Sequence, residues 1–155
     1  MIQFKYCLQI RGRPFSCLGS QVSTILSLLS IKGNWYLMDI STNTSGEEGV
    51  FLEFENTELL INYTNTVNQF LSGVFLLIER KIQIQEPMYT EDIPFRNDLE
   101  ALLEIRTFDT SYIELYSDDH NLIEKLQIGL SKTLLGPFKL ILKNDPIEKF
   151  SDDFY

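Results

Sequence analysis

The sequence predicts an α+β fold: a two-layer sandwich in which a mixed β-sheet carries about three helices, mainly on one face. Three observations lead there. Several stretches alternate apolar and polar residues with period two, the mark of a strand with one buried and one wet face. Three other stretches gather their apolar residues on one helical face. The two kinds interleave in the order β-α-β-β-α-β-(short element)-β-α-β, and strands that alternate cleanly suit a sheet covered by helices on one side.

Residues 2–10 open the chain as a strand, with Ile2, Phe4, Tyr6, Leu8 and Ile10 on one face and Gln3, Lys5, Cys7 and Gln9 on the other. Arg11-Gly12-Arg13-Pro14 is a turn. Gly19 and Ser20 open a helix whose stripe is Val22, Ile25, Leu26 and Leu29, with Ser20 as N-cap and Lys32-Gly33 as its end. Asn34 to Ile40 is a strand apolar on both faces apart from Asp39, which reads as central. Thr42 to Glu48 is a polar turn, and Gly49 to Phe54 returns as the second arm of a hairpin. Thr57 to Leu71 carries Leu59, Leu60, Tyr63, Val67, Phe70 and Leu71 at helical spacing, capped by Thr57 and closed by Gly73; the asparagines and threonines from Asn62 to Asn68 weaken the propensity, and two short strands are the alternative. Val74 to Gln85 is strand material, long enough to expect a bend near Glu79-Arg80. Residues 87–97, with two prolines and no period, form a loop. Asp98 to Ile105 fits a short helix or the start of a strand. Ser111 to Lys143 then reads as strand, helix and strand. Ile113 and Leu115 alternate with Tyr112, Glu114 and Tyr116; Asp118 or Asp119 caps a helix bearing Leu122, Ile123, Leu126 and Leu130; Gly136-Pro137 stops it before Phe138 to Lys143. Residues 1–143 form one α+β domain, and 144–155 an acidic polar tail expected to be partly disordered.

A chain of 155 residues buries enough surface to fold without a disulfide or metal. The start lacks a basic n-region followed by an apolar run, and no run reaches the roughly 18 apolar residues of a membrane helix. Both features point to the cytoplasm, as do two cysteines, Cys7 and Cys17, without CxxC spacing, which read as free buried thiols. Net charge is −9. Residues 1–85 balance to −1 and residues 86–155 to −8. Such a field repels phosphate backbones and anionic lipid, which argues against nucleic acid and membrane and favours a basic protein partner. The bland alternative is that acidity keeps the chain soluble.

The chemistry-bearing residues are few. His120 is the one histidine, in Asp118-Asp119-His120-Asn121, and with Asp118 or Asp119 it is the candidate acid/base; a first-turn polar residue also simply starts a helix. The eight glycines give neither a dinucleotide fingerprint nor a P-loop, so no cofactor is implied. Asp109, Glu114, Asp118 and Asp119 lack the spacing of a calcium loop, and no metal is implied. A docking surface needs less. Tyr112, Glu114 and Tyr116 share one strand face, backed by Asp109, Asp118 and Asp119. Aromatics set in negative charge suit a basic protein, whereas half-buried sheet tyrosines with wet hydroxyls are the plain reading.

The Trp35-Tyr36 strand, the VFLLIE strand and the SYIELYSDDHNLIEKL unit together resemble the skeleton of an uncharacterised family of small acidic bacterial proteins. That resemblance implies no activity and no site residues. Small acidic α+β proteins also include immunity proteins that neutralise toxins, a likeness of composition alone. The expectation is therefore a non-catalytic, protein-binding chain, interaction or inhibitor-like, using the acidic second half. The alternative is a small enzyme or ligand-binding domain built on His120, with residues 87–97 as a lid. Self-association into a homodimer through an uncovered sheet face or edge is the third possibility.

Overall fold

The computed structural model describes residues 4–11, 16–44, 46–84, 100–133 and the backbone of 139–143. The elements run β1 (Tyr6–Arg11), α1 (Gly19–Ser27), β2 (Asn34–Thr42), β3 (Val50–Phe54), α2 (Thr57–Thr66), β4 (Phe70–Ile78), β5 (Ala101–Phe108), β6 (Tyr112–Ser117), α3 (His120–Thr133) and β7 (Lys139–Lys143). The strands form one sheet in the order β3-β2-β4-β5-β6-β1-β7. The architecture is α+β, as the sequence predicts. The sheet is not mixed: every pairing of described strands is antiparallel. The reason lies in strand placement. The two strands of each strand-helix-strand unit do run the same way, but others lie between them. β1 is inserted between β6 and β7, and β4, β5 and β6 separate β1 from β2. Hydrogen-bonded neighbours are thus always opposed.

The three helices among the described residues all lie on one face. Val22, Ile25 and Leu26 of α1, Leu60 of α2, and Leu122, Ile123, Leu126 and Leu130 of α3 pack on a sheet row of Leu8, Ile10, Trp35, Leu37, Phe75, Leu77, Leu103, Ile105, Ile113 and Leu115. This is the amphipathic solution for both element types. α1 and α2 meet closely at Gly19. A Cβ there would stand 1.9 Å from the carbonyl oxygen of Val67, so only glycine fits. Beside it Ser23 Oγ and Thr64 Oγ1 share a 2.6 Å hydrogen bond.

Local details depart from expectation where tertiary bonds outrank propensity. α1 is entered from Leu18, not Ser20. Gln21 Oε1 accepts from the N–H groups of Leu18 and Ser16, at 3.0 and 3.1 Å, and so does the cap's work. α2 is capped by Asn56, whose Oδ1 accepts from Leu59 N at 2.8 Å; Thr57 instead accepts from the Trp35 indole at 3.0 Å. α2 also stops at Thr66 rather than Leu71, because Phe70 N bonds Cys17 O and residues 70–72 pair with Thr42 and Ser41. The ambiguous stretch before Ile105 is strand from Ala101. The bend expected at Glu79-Arg80 is where β4 has ended. The first turn around Arg13, the loop 87–97 and the tail 144–155 lie outside the described residues.

Candidate functional site

The helix-free face is the surprise. Its β2–β4 half is apolar: Tyr36, Met38, Val74, Leu76 and Ile78 are buried, with Ile82 and Ile84 packed on them. The chain leaving β4 crosses this face and is pinned by one side chain. The Tyr36 hydroxyl donates to Ile82 O at 2.9 Å and accepts from Ile82 N at 2.8 Å. The strands predicted to be wet on this side are dry. Gln9 is 0% exposed and Glu114 4%.

In the β1–β6–β5 half the same face is polar and still buried. Register builds it in two cross-strand rows. Gln9, Glu114 and Arg106 stand side by side in one, and Cys7, Tyr116 and Glu104 in the next. Glu114 is the hub. Its carboxyl receives Gln9 Nε2 at 3.0 Å, the Tyr116 hydroxyl at 2.9 Å and the Cys7 thiol at 3.9 Å. Arg106 Nε binds Glu104 Oε2 at 2.9 Å, a pair almost fully buried. Among the described residues of these two rows one cation thus faces two carboxyls, and the two rows together are neutral when Glu114 carries a proton. Burial raises the Glu114 pKa to about 7, against the pull of its donors and Arg106. Burial, with Glu114 close by, also pushes the Tyr116 hydroxyl and the Cys7 thiol far above their usual ranges. Cys17, likewise buried, is pushed up to about 12. Both thiols are free, and neither is poised as a nucleophile at neutral pH. Gln9 Oε1 has no donor among the described residues. The grid can hold or release a proton near neutrality. Its burial closes it to a partner protein.

This placement divides the residues singled out as a docking surface. Glu114 and Tyr116 face inward, so the expectation that they meet a partner is corrected: the face carries no helix among the described residues but is not open. Tyr112 is half-buried, its ring stacked 4.7 Å from Phe108. Asp109 lies in the β5–β6 turn, while Asp118 and Asp119 follow the other end of β6. The six residues of β6 set these two sites roughly 20 Å apart, so they are not one patch. Asp118, Asp119 and His120 do come together, at the corner where β6 hands over to α3. Asp118 Oδ1 accepts from Lys5 N at 2.9 Å, and Asp119 Oδ1 caps α3 through the N–H groups of Asn121 and Leu122. His120 is half-exposed, its ring edge-on to Tyr6 at 5.0 Å and its Nδ1 3.8 Å from Glu124 Oε2. Its carboxylate neighbour is thus Glu124, one turn on, rather than the engaged Asp119.

Two clefts formed by described residues lie elsewhere. One, of about 410 Å³, opens at the β2–β3 turn around Thr42, Thr44, Glu47 and Leu71. A smaller one, of about 150 Å³, lies at Trp35, Tyr36, Glu53, Phe54, Glu55 and Lys81. Neither reaches His120. Among the described residues no three His, Cys, Asp or Glu side chains gather as metal ligands, and no helix is long and apolar enough to cross a membrane. Compared with protein-family models, curated proteins and solved structures, the chain matches none.

Glu104, Arg106 and Gln9 were not singled out from sequence, and Cys7 was read as a free buried thiol and not as a member of a polar cluster. The signal was present in the alternation, since each sits opposite the Leu8–Ile10 or Leu103–Ile105 rows. It became readable as a cluster only with the strand order.

Proposed function

We propose that this chain is a non-catalytic binding protein that docks on a basic protein partner through the acidic corner between β6 and α3. The supporting observation is that Asp118, Asp119 and Glu124 are exposed there together, and that two of them are already fixed. Asp118 is held by the backbone of Lys5 and Asp119 by the helix it caps. Carboxylates ordered before binding lose less entropy when a lysine or arginine arrives. The corner lies in the part of the chain that carries −8 of the −9 charge. Lys5 and Lys125 also stand exposed nearby, so the corner offers charge of both signs and a basis for selecting partners. Two free, buried thiols accord with action in the cytoplasm.

The test is affinity capture of partners from the cells that make the protein, at low and at raised salt, beside the double variant Asp118→Asn/Glu124→Gln. One stoichiometric basic partner, lost at raised salt and lost with the variant, is the expected result. Capture indifferent to both salt and variant contradicts the reading. The enzyme alternative has in its favour the approach of His120 Nδ1 to Glu124. Against it, the ring is half-exposed and Asp118 and Asp119 both accept backbone N–H groups.

A further inference from the structure

The sheet has an open edge, and the charge around it is not where the two halves of the sequence place it. Residues 39–58 contain six carboxylates, Asp39, Glu47, Glu48, Glu53, Glu55 and Glu58, and no lysine or arginine. This one stretch holds all but one of the acidic residues of the first 85. A count over residues 1–85 hides it, because the basic residues lie elsewhere. The stretch folds as the end of β2, the hairpin turn, β3 and the start of α2. Among the described residues β3 pairs with β2 alone and is last in the strand order. Among the described residues its outer row of N–H and C=O groups therefore has no strand beside it, the feature that strand addition uses.

Side chains frame that edge. Glu47 is engaged inward, accepting from Thr42 Oγ1 at 2.9 Å and from the Tyr63 hydroxyl at 2.8 Å. Glu48, Glu53, Glu55 and Glu58 are exposed. Phe51, Leu52 and Phe54 are half-buried, leaving apolar surface between the carboxylates. The small cleft beside the strand is lined by Glu53, Glu55, Trp35 and Tyr36, with Lys81 the basic residue in it. Two kinds of strand can add to such an edge. A second copy sets its own Glu53 and Glu55 beside those of the first, and like charges across a strand pair are unfavourable. A basic segment sets lysine or arginine there, and its alternate apolar side chains on the opposite face against Leu52 and Phe54.

We propose that the β3 edge is a docking site for an extended, basic polypeptide segment, which adds to the sheet as an eighth strand. This surface is separate from the β6–α3 corner, since β3 is first and β6 fifth in the strand order, and either can fail without the other.

The probe is a capped peptide of alternating lysine and valine, matched to β3 in length. Two controls accompany it: the same peptide N-methylated at alternate residues, and one with glutamate for lysine. Backbone amide signals of the full chain report the binding site. The expected result is movement of signals in residues 50–54, no movement at residues 118–124, and no binding of the glutamate peptide. N-methylation keeps the charge but removes ladder donors, so it weakens binding about tenfold or more. Glu53→Lys/Glu55→Lys also weakens it while leaving the remaining signals in place. Equal binding of the N-methylated peptide overturns the proposal, as attraction alone would then explain it. So does movement confined to residues outside 50–54, the absence of binding, or a dimer of the free chain held through β3 in light scattering.

Discussion

The two faces of the sheet come from the same strands and bury to the same degree, yet they are built differently. The helix face is apolar from edge to edge and closed by three amphipathic helices. The other face is apolar over β2 and β4 but holds two carboxyls, a guanidinium, an amide and a phenol over β1, β6 and β5. A buried apolar face tolerates many sequences of the right volume. A buried polar grid demands that each member find its partner, because an orphaned charge in low dielectric is costly. The first face therefore holds the fold by area, and the second constrains strand register.

The sharpest way to break that contrast is to remove the cation. Arg106→Met leaves Glu104 buried without its 2.9 Å partner and is expected to cost roughly 3–5 kcal/mol in urea unfolding. The double variant Glu104→Leu/Arg106→Met should recover most of the loss, since exchanging a whole buried pair for apolar groups is far milder. On the helix face the expected weak point is shape. Gly19→Ala drives a methyl into the Val67 carbonyl, and roughly 3 kcal/mol of destabilisation follows, read as a lowered thermal midpoint.

The pH dependence separates the faces further. Glu114 has a folded pKa of about 7 against an ordinary 4.5, so the native state holds a proton that the unfolded chain has released. Its contribution is greatest below 4.5, falls as pH rises through that window, and levels off above about 7. The fall amounts to roughly 3 kcal/mol, at 1.36 kcal/mol per unit. Glu114→Gln should remove this slope from the stability curve; an unchanged slope places the titrating group elsewhere. The smallest effect is at the corner. Asp119→Ala removes two capping bonds of α3 and is expected to cost about 1 kcal/mol, read in urea unfolding.

Much of the helix face was legible in the sequence. Leu122, Ile123, Leu126 and Leu130 named themselves by spacing, and the cap was narrowed to Asp118 or Asp119 by its place before them; the length of the run around Glu79-Arg80 marked a bend there, where the strand in fact ends. Local periodicity carries that information, because each of these features is decided within a turn or two. The polar grid was not legible. Gln9, Glu104, Arg106 and Glu114 look like the wet sides of alternating strands, and nothing within a strand says which others stand beside it. Their meeting depends on β1 entering between β6 and β7, more than a hundred residues along the chain. Leu18 and Phe70 failed for a related reason. Gln21 reaching back to Leu18 N and Phe70 N bonding Cys17 O are tertiary choices that outrank cap and helix propensity. The acidic residues show the same limit. Asp118 and Glu114 lie four residues apart on the page, yet one is at an exposed corner and the other is sealed in the sheet.

The proposed separation between acids that bind and acids that fold is the claim most worth testing. The direct measurement is parallel affinity capture with three proteins at low salt: the wild type, Asp118→Asn/Glu124→Gln, and Glu114→Gln. The account predicts that the corner variant loses the partner and that Glu114→Gln, folded and stable, retains it. A partner that leaves with Glu114→Gln and stays with the corner variant would contradict it.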